Sequence, residues 1–438
     1  MNENIDRAPA GLPARTAALA ILVEVLGRRR PLDETAATVL DAARLERRDG
    51  AFARALATTT LRRLGEIEAV MRHFVPKPPP GHRAGPTLEI LLLGFCELLF
   101  LGVAPHAAVD AANRLARADA KAQHFKGLIN AVLRRAAEEG PGLLAPEHAP
   151  RLDTPDWLWP RWVENFGEET ATAIARAHLE TPPLDLKLKR EGDPCVSLLD
   201  GAELPGGVVR LRDAGRIEEL AGFADGSWWV QDFAAGLPAR LLGDVTGRTA
   251  IDLCAAPGGK TAQLASLGAH VVAVDRAPDR LTRVRENLAR LKLAAQIVEA
   301  DARDWRPETP ALLVLLDAPC TATGTIRRHP DLPWIKSAAD ITHTSTLQAE
   351  LLDAAAEMTA PGGTLLYAVC SLEPEEGIEQ AESLLRRHAD FRRAAIAPAD
   401  VFGASELLTP AGDLRTLPCH WAEKGGMDGF YAARFRRI

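Results

Sequence analysis

The chain has few of the residues that mark secreted, membrane-spanning or metal-binding proteins. Its 438 residues include six cysteines without a Cys-x-x-Cys pair, and its 11 histidines form no zinc-binding pattern. The longest apolar run, residues 88–101, has 14 residues and contains Glu89 and Glu97, so it is too short and too charged to span a bilayer. Residues 1–11 hold no basic region followed by an apolar stretch. We therefore expect a cytoplasmic protein with free thiols, no metal and no membrane contact.

The length and charge of the chain indicate a soluble protein of two or three domains. A single core rarely extends over 438 residues, and contents of 47% hydrophobic and 25% charged residues are typical of globular proteins. The net charge is −7, yet residues 1–140 hold 20 Lys and Arg against 16 Asp and Glu. A mildly basic N-terminal part fits RNA contact, although charge alone favours ordinary solvated helix faces.

The hydrophobic pattern predicts a multidomain architecture. Apolar residues recur at three- and four-residue spacing through 14–139, which predicts an all-α helical bundle over residues 1–140. A Pro- and Gly-rich linker is expected at 141–155. Two helices and two alternating strands then predict a small α/β region over 156–235.

Residues 236–438 are expected to form a Rossmann-like α/β domain. Apolar strands alternate there with amphipathic helices, which predicts a parallel sheet covered on both faces. Ligands bind such sheets beyond the carboxyl ends of the strands, and every motif described below falls at such an end.

The loop at 252–261, DLCAAPGGKT, is expected to bind a nucleoside cofactor. A P-loop would need Gly at the position of Cys254, and Pro257 removes an N–H that a phosphate cradle would use. A dinucleotide GxGxxG motif is also absent. Gly258 and Gly259 let the backbone approach a ligand, and the N-terminus of the following helix attracts a carboxylate. We expect S-adenosylmethionine, with its carboxylate at this loop.

Three acids at successive strand ends support this assignment. Asp275 lies 17 residues after Gly258, near the usual distance for an acid that binds ribose hydroxyls. Asp301 is placed to meet an adenine amine, and Asp317 to accept from a cytosine amine. The alternative is that these acids cap helices, as Asp often does.

Two cysteines lie where a strand gives way to a loop at this edge, Cys320 in DAPC and Cys370 in YAVC. A thiolate added to C6 of a pyrimidine makes C5 able to attack a sulfonium methyl group. A base must then remove the C5 proton, and a nearby cation must lower the thiol pKa; Lys260 is the nearest candidate cation in the chain. Buried packing is the usual role of a lone cysteine, and we assign it to Cys254.

Four motifs together resemble the RsmB/Sun group of RNA cytosine-5 methyltransferases, within the NOL/NOP/Sun family. They are DLCAAPGGKT (252–261), DAPCTATGTIRRHPDLPW (317–334), YAVCSLEPEE (367–376) and MDGFYAARF (427–435). The helical segment 1–140 is similar to the NusB-type RNA-binding domain of this bacterial group. The sequence departs from the family pattern at Val369, where Thr is usual, and at Phe233.

The resemblance implies a role for each matched residue. Cys370 would be the nucleophile, Cys320 would assist product release, and Asp317 would contact both the cofactor region and the cytosine, with Lys260 among the catalytic groups. The substrate would be 16S ribosomal RNA, and we expect a monomer. The residues implied for cofactor binding are Cys254, Ala255, Ala256, Pro257, Gly258, Gly259, Lys260, Asp275, Arg280, Asp301 and Asp317.

RNA contact is expected after the DAPC loop, because Arg327, Arg328 and His329 could grip phosphates beside an extruded cytosine. A solvated turn is the equal alternative for these three residues. Trp228, Trp229 and Trp334 could stack on bases, although packing in a core is the simpler expectation.

Two other functions compete with the RNA methyltransferase. A DNA cytosine-5 methyltransferase would use Cys320 of the Pro-Cys turn as nucleophile, and Cys370 would then have no catalytic role. A non-catalytic RNA-binding assembly factor would tolerate loss of the cofactor loop or of a thiol, yet both are present.

Overall fold

The computed structural model describes residues 11–212 and 214–438 of the chain, which divide into two compact units. The first unit, called the helical unit here, comprises residues up to 179 together with 328–337. The second, called the sheet unit, comprises 180–327 and 338–438. Residues 1–10, in which no secretory signal was expected, and Asp213, the end of a predicted strand, lie outside the described residues.

Helices and strands are numbered in chain order. The helices are α1 (Leu12–Arg28), α2 (Leu32–Ala43), α3 (Arg47–Arg62), α4 (Leu64–Phe74), α5 (Gly81–Ala84), α6 (Thr87–Leu99), α7 (Pro105–Ala118), α8 (Lys126–Glu139), α9 (Ala149–Leu152), α10 (Trp159–Phe166), α11 (Glu168–Leu179), α12 (Phe233–Arg240), α13 (Gly259–Ser266), α14 (Pro278–Leu291), α15 (Leu332–Ile335), α16 (Ala338–Met358) and α17 (Ile378–Arg387). The strands are β1 (Leu184–Leu188), β2 (Ala202–Leu204), β3 (Val208–Leu211), β4 (Trp228–Val230), β5 (Thr249–Leu253), β6 (His270–Asp275), β7 (Gln296–Glu299), β8 (Ala311–Asp317), β9 (Thr359–Val369), β10 (Phe391–Arg393), β11 (Leu414–Thr416) and β12 (Phe430–Arg437).

The helical unit packs its helices around one apolar core. The apolar run at 88–101 contributes to α6, and residues 90–97 are all buried. The helical pattern of 14–139 is interrupted between α3 and α4. At Gly65 an added Cβ would lie 1.9 Å from the carbonyl oxygen of Leu152, so only glycine lets the backbone at the end of α9 come this close.

The helical unit also includes the segment 328–337, which comes from the middle of the methyltransferase-like sequence. The Leu32 N–H donates to the Asp331 carboxylate over 2.9 Å, and the Trp334 indole N–H donates to the Leu61 carbonyl over 2.9 Å. Trp334 therefore packs within a protein core, as the simpler expectation had it. Helices α10 and α11, which the predicted boundaries grouped with the small α/β region, belong to this unit as well.

The sheet unit is built on an eight-stranded sheet. Its order is β10-β12-β9-β8-β5-β6-β7, with β11 paired to β12. Strands β5 to β9 pair in parallel, as the alternation of strands and helices predicted. Strand β12 pairs antiparallel with each of its three neighbours, β9, β10 and β11. The predicted helical bundle and Rossmann-like domain are confirmed.

A smaller antiparallel sheet of order β2-β3-β1-β4 precedes the large one within the sheet unit. Trp228 and Trp229 on β4 are buried, which agrees with packing rather than base stacking. Asp185 on β1 and Arg210 on β3 form a buried two-pronged ion pair at 2.7 Å. The Arg210 guanidinium also donates to the Gly426 carbonyl, so this sheet fixes the loop before β12.

Candidate active site

The predicted cofactor loop joins β5 to α13 at the carboxyl edge of the large sheet. Gly258 is the N-cap of α13 and has a φ of 98°, a left-handed backbone conformation in which residues other than glycine are strained. A Cβ added there would lie 3.1 Å from a methyl carbon of Val284 on α14. The turn can therefore follow its tight path only with glycine.

Asp275, the last residue of β6, binds the backbone of this loop. Its carboxylate accepts from the Ala256 N–H over 3.1 Å and from the Ala277 N–H over 3.0 Å. Arg280 on α14 donates to the Ala256 carbonyl over 2.5 Å. These contacts fix the backbone around Ala256 and leave a cavity of about 70 Å³ beside it, lined by Cys254, Val274, Asp275, Arg276, Arg280, Ala300, Asp301, Ala302, Pro319, Leu347 and Leu351.

Asp301 lines the same cavity, two residues beyond the end of β7. The Arg303 guanidinium donates to both carboxylate oxygens of Asp301 over 2.8 and 3.0 Å. Hydrogen bonding from Arg303 lowers the pKa of Asp301 to about 2. The carboxylate is therefore charged and held in one orientation at physiological pH.

Lys260 and Asp317 join the cofactor loop to the DAPC loop. The Lys260 ammonium lies 2.7 Å from Oδ2 of Asp317. Burial alone would lower the pKa of Lys260, but the charges of Asp317 and Cys370 outweigh it and the pKa is raised. Lys260 therefore stays protonated within the electrostatic reach of Cys370, as the sequence suggested.

The two thiols predicted at the sheet edge are brought together. Cys320 follows β8 and Cys370 follows β9, and these strands are parallel neighbours. Their sulfur atoms lie 3.4 Å apart. The hydrogen bond with Cys370 and then burial raise the pKa of Cys320 well above its ordinary value. Cys320 therefore remains a thiol, which can donate to the sulfur of Cys370.

Cys254 occupies the other side of the loop and lines the cofactor cavity. Burial raises the pKa of this thiol, and the carboxylates of Asp275 and Asp317 raise it further. A thiol held protonated in this way is a packing group, which agrees with the structural role expected for Cys254.

The three residues expected to bind phosphate lie in different surroundings. Arg327 is 1% exposed, and its guanidinium is bound by the carboxylates of Asp232 and Asp428. This disagrees with the expected phosphate contact, because a guanidinium buried between two carboxylates does not reach RNA. Arg328 is exposed, and His329 pairs with Asp33 over 3.2 Å within the helical unit.

Sequence reasoning missed two buried acids close to the site. Asp252 on β5 is fully buried and accepts from the Thr261 hydroxyl over 2.6 Å. Glu376 is fully buried and accepts hydrogen bonds from residues next to both thiols. Asp252 lay inside a strand pattern, and Glu376 is one of three glutamates within residues 373–376, so neither carried a signal that separates it from surface charge.

Among residues 11–212 and 214–438, no helix is long and apolar enough to cross a membrane. The same residues contain no cluster of His, Cys, Asp and Glu that could hold a metal ion.

Comparison with known proteins places both parts of the chain in described families. The family model described as 16S rRNA methyltransferase RsmB/F matches residues 239–436, and that of the NusB family matches residues 12–138. The chain is 38% identical to ribosomal RNA small subunit methyltransferase B of Pseudomonas putida, over 97% of this chain and 98% of that protein. The corresponding protein of Cronobacter sakazakii is 37% identical over 88% of this chain and 90% of that protein.

A solved structure has a similar fold over almost the whole chain. The crystal structure of PH0851 superposes with a TM-score of 0.79, covers 98% of this chain and 99% of its own, and is 22% identical. At this identity the match concerns the fold alone.

Proposed function

Since this chain belongs to the RsmB/F family of 16S rRNA methyltransferases, we propose that it forms 5-methylcytosine through a transient bond between Cys370 and C6 of a cytosine. The observation that carries this proposal is the separation of 3.4 Å between the sulfur atoms of Cys320 and Cys370. Only one thiol is needed to add to the ring. A second thiol within hydrogen-bond distance of the first is suited to stabilise the first as a thiolate.

S-adenosylmethionine is the proposed methyl donor, and when bound it supplies an electrophilic methyl group. The cavity of about 70 Å³ beside the cofactor loop is too small for the whole ligand, but its lining suits the nucleoside part, because two carboxylates, Asp275 and Asp301, adjoin the apolar side chains of Ala300, Pro319 and Leu351. Carboxylates accept ribose hydroxyls and amines, and apolar walls accept an adenine ring. The proposed cofactor residues are those of the loop 254–260 together with Asp275, Arg280, Asp301 and Asp317.

The proposed role of Cys370 is nucleophilic. Its thiolate forms a bond with C6, the electron pair of the C5–C6 double bond moves to C5, and C5 becomes able to accept a methyl cation. After methylation, solvent water takes the C5 proton, the C5–H electron pair restores the C5–C6 double bond, and the C6–sulfur bond breaks with its electron pair returning to the sulfur of Cys370. Lys260, which stays cationic near Cys370, favours the thiolate at the start and the end of this cycle.

Cys320 and Asp317 are proposed to complete the cycle. The Cys320 thiol, which its raised pKa keeps protonated, is proposed to donate a hydrogen bond to the departing sulfur of Cys370 and to stabilise it as a thiolate, which assists product release. Asp317 is held by Lys260 over 2.7 Å and retains a second carboxylate oxygen with which to accept from the cytosine amine.

The target cytosine must be single-stranded or extruded, because a thiol cannot reach C6 inside a helical stack. The helical unit is proposed to contact ribosomal RNA, in line with its match to the NusB family. Arg328 and His329 remain proposed phosphate contacts, since one is exposed and the other partly so. We propose that the protein acts as a monomer in the cytoplasm.

The test is nucleoside mass spectrometry of 16S rRNA incubated with the protein and S-adenosylmethionine. The proposal expects 5-methylcytosine with wild type and none with Cys370→Ala. A DNA methyltransferase would instead modify DNA and depend on Cys320. A non-catalytic assembly factor would bind no S-adenosylmethionine in calorimetry and leave the rRNA unmodified.

A further inference from the structure

We propose that Glu376 is a positioning residue that sets the separation of the two thiols by binding the residue after each of them. This inference rests on the proposed function for its chemical meaning. Its structural content, the dependence of the sulfur–sulfur distance on Glu376, can be measured without RNA.

Glu376 joins the loop of Cys320 to the loop of Cys370. The Thr321 N–H donates to Oε1 over 2.8 Å, and the Thr321 hydroxyl donates to Oε2. The Ser371 hydroxyl donates to the same Oε2 over 2.5 Å. One carboxylate therefore holds the neighbour of Cys320 through two bonds and the neighbour of Cys370 through one.

Helix α16 fixes the carboxylate from a third side. The Thr344 hydroxyl donates to Oε1 over 2.5 Å, and the Gln348 amide donates to it over 3.3 Å. The same Gln348 amide donates to the Pro319 carbonyl, one residue before Cys320, over 2.9 Å. Glu376 is thus held against a rigid helix, and through it the Cys320 loop is held as well.

Other contacts between the loops lie farther from the sulfur of Cys320. The Gly324 N–H donates to the Cys370 carbonyl over 3.0 Å, and the Leu372 N–H donates to the Thr323 hydroxyl over 3.0 Å. These bonds hold residues 323 and 324, three and four positions after Cys320. Before Cys320, the Ala318 N–H donates to the Ala368 carbonyl over 2.9 Å and Gln348 binds the Pro319 carbonyl. Directly after Cys320, the turn is held through the two hydrogen bonds of Thr321, and both of these bonds go to Glu376.

The burial of Glu376 argues that its carboxylate has more than a packing role. A buried carboxylate costs free energy unless several donors satisfy it, and here Thr321, Ser371 and Glu376 are all 0% exposed. A neutral acceptor would satisfy the hydroxyls at lower cost. The negative charge of Glu376 also contributes to the raised pKa of Cys320, after the effects of Cys370 and burial. Position and charge therefore both act on Cys320, because the charge keeps this thiol protonated and able to donate a hydrogen bond to Cys370.

The first measurement is the rate at which diamide joins Cys320 and Cys370 in a disulfide, with loss of two protons and transfer of two electrons to diamide. Peptide mapping identifies the bond, and Cys320→Ser gives the background from the other thiols. We expect Glu376→Ala to slow the reaction about tenfold, because the Cys320 turn loses its anchor. Glu376→Gln keeps the size and an acceptor, and its rate should stay within about threefold of wild type.

Glu379 provides a matched control, since it is exposed on α17 three positions away and Glu379→Gln should react like wild type. Should Glu376→Ala fail to fold, Glu376→Asp serves in its place, because the shorter side chain cannot reach Thr321 and Ser371 together. Disulfide formation at the wild-type rate in the folded Ala or Asp variant would overturn the proposal. So would a Gln variant as slow as Ala.

The second measurement tests whether the positioning by Glu376 affects release of the methylated RNA. With 16S rRNA, both Glu376→Ala and Cys320→Ala are expected to accumulate the covalent RNA complex, whereas a general loss of structure would lower adduct formation and methylation together. If Glu376→Ala slows both equally at an unchanged melting temperature, the positioning role is wrong. If wild type forms no 5-methylcytosine, the proposed function fails, while the disulfide rates still decide the role of Glu376.

Discussion

Lys260 on the first turn of α13 lies 2.7 Å from Asp317 at the end of β8, so one ion pair joins the cofactor loop to the loop that carries Cys320. The Asp317 side chain is 30% exposed, whereas that of Lys260 is 10% exposed. Asp317 is therefore the member of the pair that reaches solvent, and Lys260 holds it from the buried side.

Lys260→Met should abolish most methylation with little loss of stability. Removing the cation leaves the thiolate of Cys370 and the carboxylate of Asp317 without their common partner, and we expect a fall in kcat of about 100-fold or more. The partly exposed Asp317 limits the loss in unfolding free energy to about 1–3 kcal/mol. Lys292→Met, at an exposed position after α14, should behave like wild type in both assays, and an equal loss there would contradict this account.

Gly258→Ala should weaken S-adenosylmethionine binding by about tenfold or more in calorimetry. The methyl group would strain a backbone with φ of 98° and press on Val284 at 3.1 Å, so the loop must move. Gly268 follows the same helix with φ of 88°, and an added Cβ there meets its nearest neighbour at 3.5 Å. Gly268→Ala therefore controls for backbone strain, and equal weakening by both substitutions would show that the loop has no special role.

Arg327→Met should destabilise the fold without changing the salt dependence of RNA binding. It would leave Asp232 and Asp428 buried without their cation, at a cost of about 3–5 kcal/mol in unfolding free energy. Arg328→Met, at the next position, should cost much less unfolding free energy than Arg327→Met, because its side chain is exposed to solvent. If Arg328 contacts phosphate, its loss should lower the slope of log affinity against log salt by about one. A changed slope for folded Arg327→Met would restore its expected role.

Asp252 should make the wild-type protein less stable as pH rises, and Asp252→Asn should reduce this dependence of the unfolding free energy on pH. Burial raises the pKa of Asp252 to about 7, so the folded chain keeps this proton well above the pH at which the unfolded chain, with a pKa near 3.8, releases it. The stabilisation is complete below about pH 4 and is lost as pH rises through about 7, with a size on the order of 4 kcal/mol. Denaturant unfolding at pH 5 and pH 8 should show a smaller difference for the variant, and an equal difference would contradict the assignment.

The positions of the candidate site residues followed from the sequence because parallel strands share an edge. Once the parallel strands were predicted, Asp275 and Asp317 had to lie at the same carboxyl edge, and Cys320 and Cys370 had to follow strands of the same sheet. The close approach of the two sulfur atoms also requires β8 and β9 to be adjacent in the sheet, and the order of the strands along the chain does not fix this.

The buried charges could not be predicted in the same way. Arg327 and Arg328 are identical in type and adjacent in sequence, yet one is enclosed by two carboxylates from residues about 100 positions away and the other is exposed. Glu376 likewise stands beside Glu375, and only the fold decides which of them meets Thr321 and Ser371. Long-range pairing of this kind leaves no local pattern in a single sequence.

The most direct test of the account is mass spectrometry of the covalent RNA complex trapped by Cys320→Ala. After nuclease and protease digestion, the account predicts a nucleotide attached to the peptide that contains Cys370, and no adduct in Cys370→Ala. An adduct on Cys320 in the Cys370→Ala protein, or full methylation by that protein, would contradict the central claim.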